Sequence, residues 1–95
     1  MRQIVEIRPT VEVLPLEERD LLIEMIRALV SNPDQVKIES QEPDDLSVVF
    51  RIHCAKEDIG MVLGKRGVTI DCIRGYFRKV CGRYGKDIVT IEVAE

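Results

Sequence analysis

The sequence predicts a single α+β domain in which helices cover one face of a three-stranded sheet. Its 95 residues can form one hydrophobic core but not two. Apolar residues recur at helical spacing in two long segments, while three shorter segments are strand-like. Apolar side chains make up 45% of the chain, which is typical of a protein that folds in water.

The first half of the domain contains one helix and two strands. The predicted helix spans residues 17–30, where the first turns are acidic and apolar side chains share one face. It stops at residues 31–34, because Pro33 disfavours a helical conformation at the preceding residue. Residues 36–40 form a short predicted strand. Residues 46–54 form the clearest strand, with one face made of Leu46, Val48, Phe50, Ile52 and Cys54.

The second half contains two helices and a strand. A short helix over residues 56–63 is expected to bury Ile59, Val62 and Leu63. A longer helix over residues 68–84, about 25 Å in length, ends at Gly85. Residues 87–93 form the closing strand. The apolar stripe of the longer helix consists of Ile70, Ile73, Phe77, Val80, Cys81 and Tyr84.

Residues 1–16 fall outside this pattern and form a predicted N-terminal extension to the domain of residues 17–95. Pro9 and Pro15 interrupt a weakly strand-like segment, so the extension is either an added edge strand or a flexible arm. Charges interleave with its apolar residues, so we expect neither a signal peptide nor a membrane span. The three scattered cysteines indicate reduced thiols, and hence a cytoplasmic protein.

Positive charge is concentrated in the C-terminal part of the chain, although the net charge is −3. Residues 1–58 carry 7 basic and 13 acidic side chains, whereas residues 64–86 carry 7 basic side chains and only one acidic. Because local potential rather than total charge steers a polyanion, this segment is a candidate anion-binding surface. The alternative is an ordinary solvated helix face.

The segment "VLGKRGVTI" places two glycines around a Lys-Arg pair between the two predicted helices. Gly64 is expected at the chain reversal, in the left-handed region where glycine costs least. Gly67 is expected to open the next helix, where a missing side chain lets a phosphate approach free amide groups. Lys65 and Arg66 add mobile positive charge at the tip. These features predict a sugar-phosphate ligand, and a helical corner that needs glycine only for its geometry is the alternative.

The same segment resembles the KH-domain signature, V-I-G-x-x-G-x-x-I between two helices. Residues 17–95 resemble the small bacterial single-KH RNA-binding proteins of the KhpA family, in the type II order α-β-β-α-α-β. The resemblance implies that the GxxG loop clamps the backbone of single-stranded RNA, over about four nucleotides. The resemblance also implies that the chain acts as a post-transcriptional regulator or an RNA chaperone in the cell.

Further RNA contacts are expected beside the loop. Aliphatic side chains there are expected to support unstacked bases, and Arg74 and Arg78 match basic positions that recur in the family. Lys79 and Arg83 instead lie nearly opposite the buried stripe. For Arg74 and Arg78, simple solvation is the alternative. The predicted RNA-binding set is Gly64, Lys65, Arg66, Gly67, Ile59, Val62, Thr69, Ile70, Arg74 and Arg78.

A second hypothesis is that the chain is mainly an assembly subunit. The resemblance implies pairing with itself or with a larger RNA-binding protein of the KhpB (Jag) type. Gly75 and Gly82 share a helix stripe on which another helix could approach closely. Met61 stands where relatives often carry a basic residue, and the N-terminal extension is absent from most relatives. Both departures favour a protein partner.

Catalysis and metal binding are not predicted. His53 and Cys54 are adjacent on a strand and face opposite sides, while Cys72 and Cys81 lie on opposite sides of a helix. These residues cannot form a tetrahedral metal site or an oriented Cys-His pair. The glycines also do not match a nucleotide-binding P-loop, because Arg66 replaces the hydroxyl that would bind magnesium. We therefore expect no enzyme and no cofactor.

Overall fold

The computed structural model describes residues 18–95. The predictions for residues 1–16, including the domain boundary and the choice between an edge strand and a flexible arm, lie outside these residues. The helices and strands are α1 (Glu18–Leu29), β1 (Lys37–Gln41), β2 (Ser47–His53), α2 (Ile59–Leu63), α3 (Val68–Gly82) and β3 (Ile88–Val93).

The three strands form one mixed sheet in the order β1-β2-β3. Strands β1 and β2 are antiparallel, with Ile38 opposite Ile52. Strands β2 and β3 are parallel, with Phe50 opposite Ile91. A parallel pair requires a crossover connection, which α2 and α3 supply here. The element order predicted from the sequence is thereby confirmed.

The helices cover one face of the sheet, as predicted. Leu22 and Ile26 of α1 and Phe77 of α3 are fully buried against the strands. The rings of Phe50 and Phe77 meet edge to face, with their centroids 6.0 Å apart. The other face of the sheet is polar and carries an ion pair of 3.0 Å between Arg51 and Glu92. The sheet and the helices therefore enclose one core.

Three predictions differ from the structure at the ends of elements. The helix predicted over residues 56–63 is a 3-10 turn, Lys56–Asp58, followed by the five-residue α2. Tyr84 was predicted to extend the buried stripe of α3, but it is 64% exposed because the α-helix ends at Gly82. Beyond that residue the chain turns through Gly85, which has φ of +85°. Leu46, predicted in the core face of a strand, precedes β2 and is 51% exposed.

None of the helices between residues 18 and 95 has the length and hydrophobicity needed to cross a lipid bilayer.

Candidate nucleic-acid interface

The loop between α2 and α3 consists of Gly64, Lys65, Arg66 and Gly67. Three of these four residues have positive φ: Gly64 at +78°, Arg66 at +58° and Gly67 at +76°. Gly67 lies in the left-handed region, whereas Gly64 combines its positive φ with a ψ of 169°, a region that is essentially restricted to glycine. Arg66 is the only non-glycine residue with positive φ in the described part of the chain. The loop therefore has a tightly constrained backbone.

Gly64 is also required by packing. A Cβ atom at Gly64 would lie 2.6 Å from Cβ of Thr69 and 2.7 Å from its backbone nitrogen, and would also contact its hydroxyl. At Gly67, by contrast, the nearest atom to an added Cβ is a carboxylate oxygen of Asp71 at 4.0 Å. The first turn of α3 thus packs directly on Gly64 and leaves open space beside Gly67.

The amide groups of the loop are only partly available to a ligand. The amide of Gly67 donates to the carbonyl of Gly64 at 3.0 Å, and the amide of Val68 donates to the carbonyl of Lys65. The amides of Gly67 and Val68 are therefore occupied within the loop and are not free for a phosphate.

The two side chains at the loop tip are cationic. Lys65 and Arg66 are both exposed. Within the described range, no carboxylate lies within 4.0 Å of either side chain. The loop therefore presents two positive charges that no described carboxylate pairs with. Two such charges at one loop tip are favourable for a phosphate group.

Arg74 and Arg78 lie in different environments on α3. The guanidinium of Arg74 donates two hydrogen bonds to the carbonyl of Ile91, at 3.2 and 2.9 Å, and a third to Asp71 at 3.0 Å. It therefore ties α3 to the edge of β3. Arg78 is exposed and has no carboxylate partner in the part of the chain that the structure describes. Arg78 is therefore the more open of these two arginines to a ligand, because three of the five N–H groups of Arg74 are already hydrogen-bonded.

The aliphatic residues of the predicted set differ in burial. Val62 and Ile70 are fully buried members of the core. Ile59, at the start of α2, is half-buried and accessible. Thr69 is half-buried behind Gly64. Ile59 is thus the aliphatic residue that can contact a base directly, while Val62 and Ile70 hold the surrounding backbone in place.

Asp58, which anchors the start of α2, was not predicted from the sequence. Asp58 is fully buried, and its carboxylate accepts hydrogen bonds from the amide of Ser31 at 3.1 Å and from the amide of Asn32 at 3.0 Å. The side-chain amide of Asn32 adds a third at 3.1 Å. Burial alone would raise the pKa of Asp58, but these hydrogen bonds hold that pKa below its usual value. An aspartate directly before a short helix was the available signal, because aspartate is common at helix N-termini.

The cysteines and the histidine do not form a reactive site. Burial raises the pKa of Cys81 to about 11, and burial together with the charge of Asp58 raises that of Cys54. Both thiols therefore stay protonated near neutral pH. Nε2 of His53 lies 3.3 Å from Oε1 of Glu39, on the open face of the sheet. Between residues 18 and 95, no three His, Cys, Asp or Glu side chains are placed to bind a metal ion.

A shallow apolar groove runs between α1 and the first half of α3, next to the glycine loop. Leu29 is 39% exposed and Val68 is 55% exposed at its rim. An added Cβ at Gly75, further along α3, would meet no atom within 4 Å. The groove is lined by Met25, Ala28, Leu29, Val68, Thr69, Cys72 and Ile73.

Comparisons with known proteins agree with this architecture. Residues 19–93 match the family model described as KhpA/KhpB, KH domain. The chain is 32% identical to RNA-binding protein KhpA of Listeria monocytogenes over 76 residues, covering 80% of this chain and 97% of that protein. It is also 32% identical to RNA-binding protein KhpA of Chlamydia caviae over 77 residues, covering 81% and 96%. The protein of the same name from Bacillus subtilis is 34% identical over 55 residues, covering 58% and 67%.

No solved structure gives a significant match to the chain. The family is nevertheless clear from the match over residues 19–93, which includes α2, the glycine loop and α3. This family is not enzymatic. The α-β-β-α-α-β order and the mixed sheet also agree with a KH domain. The chain therefore belongs to the KhpA/KhpB family of KH domains.

Proposed function

We propose that this chain binds single-stranded RNA by clamping its sugar-phosphate backbone on the loop of residues 64–67. The observation that carries this proposal is the exposed pair Lys65 and Arg66 at the loop tip, which has no carboxylate partner among residues 18–95. The relatives in Listeria monocytogenes and Chlamydia caviae are named RNA-binding protein KhpA, which supports RNA as the polyanion that binds here. In a bacterial cytoplasm, such a module would act as a post-transcriptional regulator or an RNA chaperone.

Each element of the loop has a role in this proposal. The positive φ values at Gly64 and Gly67 turn the backbone between α2 and α3 and place Lys65 and Arg66 at the tip of the loop. The two cationic side chains neutralise phosphates on either side of that point. Ile59 offers an aliphatic surface to a neighbouring base. Arg78 adds a backbone contact further along α3, whereas Arg74 mainly holds α3 against β3.

Replacing Lys65 and Arg66 together by aspartate is expected to weaken RNA binding at least about ten-fold, because two phosphate contacts become repulsive. Aspartate tolerates the left-handed conformation of Arg66, so the fold is expected to survive. Fluorescence anisotropy with a labelled single-stranded RNA pool measures the affinity. For the unmodified chain, three or four phosphate contacts predict a slope of log affinity against log salt of roughly −2 to −3.

The matched control replaces two exposed basic residues that lie away from the loop, Arg19 and Lys37, by aspartate. Both double variants have the same net charge. Equal loss of affinity in the two variants would contradict the clamp, because net charge rather than the loop would then control binding. A salt-independent affinity would contradict it as well.

A second candidate function, assembly with another protein chain, is favoured by the apolar groove between α1 and α3. Its rim exposes Leu29 and Val68, and the bare backbone at Gly75 lets a second helix approach. We propose a second copy of the chain as the occupant. A larger partner of the KhpB (Jag) type is the alternative occupant of the same groove.

Replacing Val68 by glutamate is expected to abolish self-association, because a carboxylate in an apolar interface is not compensated. Light scattering over a concentration series would measure the mass, and twice 10.9 kDa is expected for the unmodified chain. Lys37→Glu, on the open face of the sheet, is the control and should leave the mass unchanged. If the unmodified chain is monomeric at all concentrations, the homodimer is excluded. Light scattering of a mixture with the Jag-type protein would then test the alternative partner.

A further inference from the structure

The outward side of the second half of α3 carries three exposed residues in one stripe. Tyr76, Lys79 and Arg83 are separated by three and four residues, a spacing that places them on one helix face. The ring of Tyr76 is 53% exposed, and Arg83 still has helical dihedral angles. We call this stripe the α3 basic face. It lies outside the set of contacts proposed for the loop.

Neither Lys79 nor Arg83 of the α3 basic face has a carboxylate within 4.0 Å among residues 18–95. Residues 75–86 contain four cations and no acidic residue. Only Lys86 among these cations pairs with a carboxylate, that of Glu42 at 3.4 Å, within the described residues. Lys79 and Arg83 therefore add to an uncompensated positive potential, which attracts a polyanion rather than an apolar or cationic surface.

The same face offers an aromatic platform and an accessible backbone. The ring of Tyr76 meets that of Phe77 edge to face at 5.8 Å, so the buried phenylalanine supports it. Gly75 and Gly82 lie beside Lys79, and a Cβ at either glycine would contact no atom within 4 Å. An exposed aromatic ring beside cations is an arrangement on which single-stranded nucleic acids stack their bases with little dependence on sequence.

We infer that the α3 basic face is a second contact for single-stranded RNA, beyond the glycine loop. A base stacks on Tyr76, while Lys79 and Arg83 neutralise the adjoining phosphates. Lys79 follows Gly67 by twelve residues, which is about 18 Å along the helix. The loop is expected to hold about four nucleotides, so only a longer RNA reaches Lys79 as well. This inference rests on the proposed function, because the loop is the first point of attachment.

The test compares two RNA lengths, about four and about twelve nucleotides, by fluorescence anisotropy. Tyr76→Ala is expected to weaken binding of the longer RNA about five-fold or more, the loss that corresponds to one stacked base. The double variant Lys79→Glu with Arg83→Glu is expected to make the salt slope for the longer RNA shallower by about 1.4. Neither variant should change affinity for the short RNA.

Two control variants distinguish base stacking from loss of the tyrosine hydroxyl, and local charge on α3 from a change in net charge. Tyr76→Phe keeps the aromatic ring and should bind the longer RNA like the unmodified chain. Arg19→Glu with Lys37→Glu gives the same net charge as the Lys79 and Arg83 double variant and should leave the salt slope unchanged. Loss of affinity in either control would overturn the inference.

The remaining outcomes distinguish this inference from the proposed function. Loss of short-RNA binding in the Lys65 and Arg66 variant, together with unchanged long-RNA binding in the α3 variants, would retain the loop and overturn the second contact. A change of molecular mass in the α3 variants that accounts for the lost affinity would assign the face to a protein contact instead. Retention of short-RNA binding without the loop cations would overturn the proposed function itself.

Discussion

Gly64→Ala is expected to destabilise the domain by about 3 kcal/mol or more and to abolish the RNA binding proposed for the loop. The φ of +78° with ψ of 169° is strained for alanine, and the new Cβ would lie 2.7 Å from the backbone nitrogen of Thr69. The first turn of α3 must therefore move away from the loop. Thermal unfolding followed by circular dichroism should show a midpoint lower by more than about 10 °C.

Gly67→Ala is the matched control, because it makes the same chemical change three residues later. Its φ of +76° is left-handed, but an added Cβ meets nothing closer than 4.0 Å. The expected cost is only about 1–2 kcal/mol. Adding Thr69→Ala to Gly64→Ala should not restore stability, since Cβ and the backbone nitrogen of residue 69 remain. Equal effects of the two glycine variants would show that backbone strain alone, without packing on Thr69, determines the need for glycine.

The parts of the fold that could be predicted from the sequence are those with a repeated burial pattern. Helices α1 and α3 and strand β2 each place apolar residues at a regular period, and burial in the core decides their structure. The ends were less predictable. Tyr84 continues the apolar period of α3, but the turn through Gly85 removes it from the helix.

The candidate site was predictable in outline, because the glycine spacing and the adjacent cations are local features of the sequence. Its supporting contacts were not. The guanidinium of Arg74 binds a carbonyl 17 residues away on β3, and Asp58 binds amides 26 and 27 residues before it. Contacts of this range depend on how the elements pack, which no local pattern encodes. Arg74 therefore makes a structural contact, whereas Arg78, also an arginine on α3, is open to solvent.

Asp58→Asn is expected to lower the thermal midpoint by roughly 10 °C, because the amides of Ser31 and Asn32 lose a charged acceptor. An asparagine amide presents one oxygen and two donors, so it cannot accept all three hydrogen bonds that the carboxylate accepts. Since α2 has only five residues, its position depends on this anchor. The loop at its other end should consequently shift, and RNA affinity should fall together with stability.

The pH dependence of stability identifies the role of the charge. The pKa of Asp58 is lowered in the folded state, so its ionised form stabilises the fold above the unfolded-state value of about 3.9. This contribution is lost as the pH falls from about 4 through the lower folded value. The difference in midpoint between the unmodified chain and Asp58→Asn should therefore be constant near neutral pH and shrink below about pH 4.

Asp44→Asn is the control for this titration. Asp44 also has a lowered pKa, chiefly because it accepts a hydrogen bond from the amide of Leu46 at 2.9 Å, but it is exposed. Its variant should lose much less stability at neutral pH, because water can replace the carboxylate as acceptor. It should also leave RNA affinity unchanged. If Asp44→Asn and Asp58→Asn had the same midpoints across the pH range, the buried carboxylate would not be the anchor of α2.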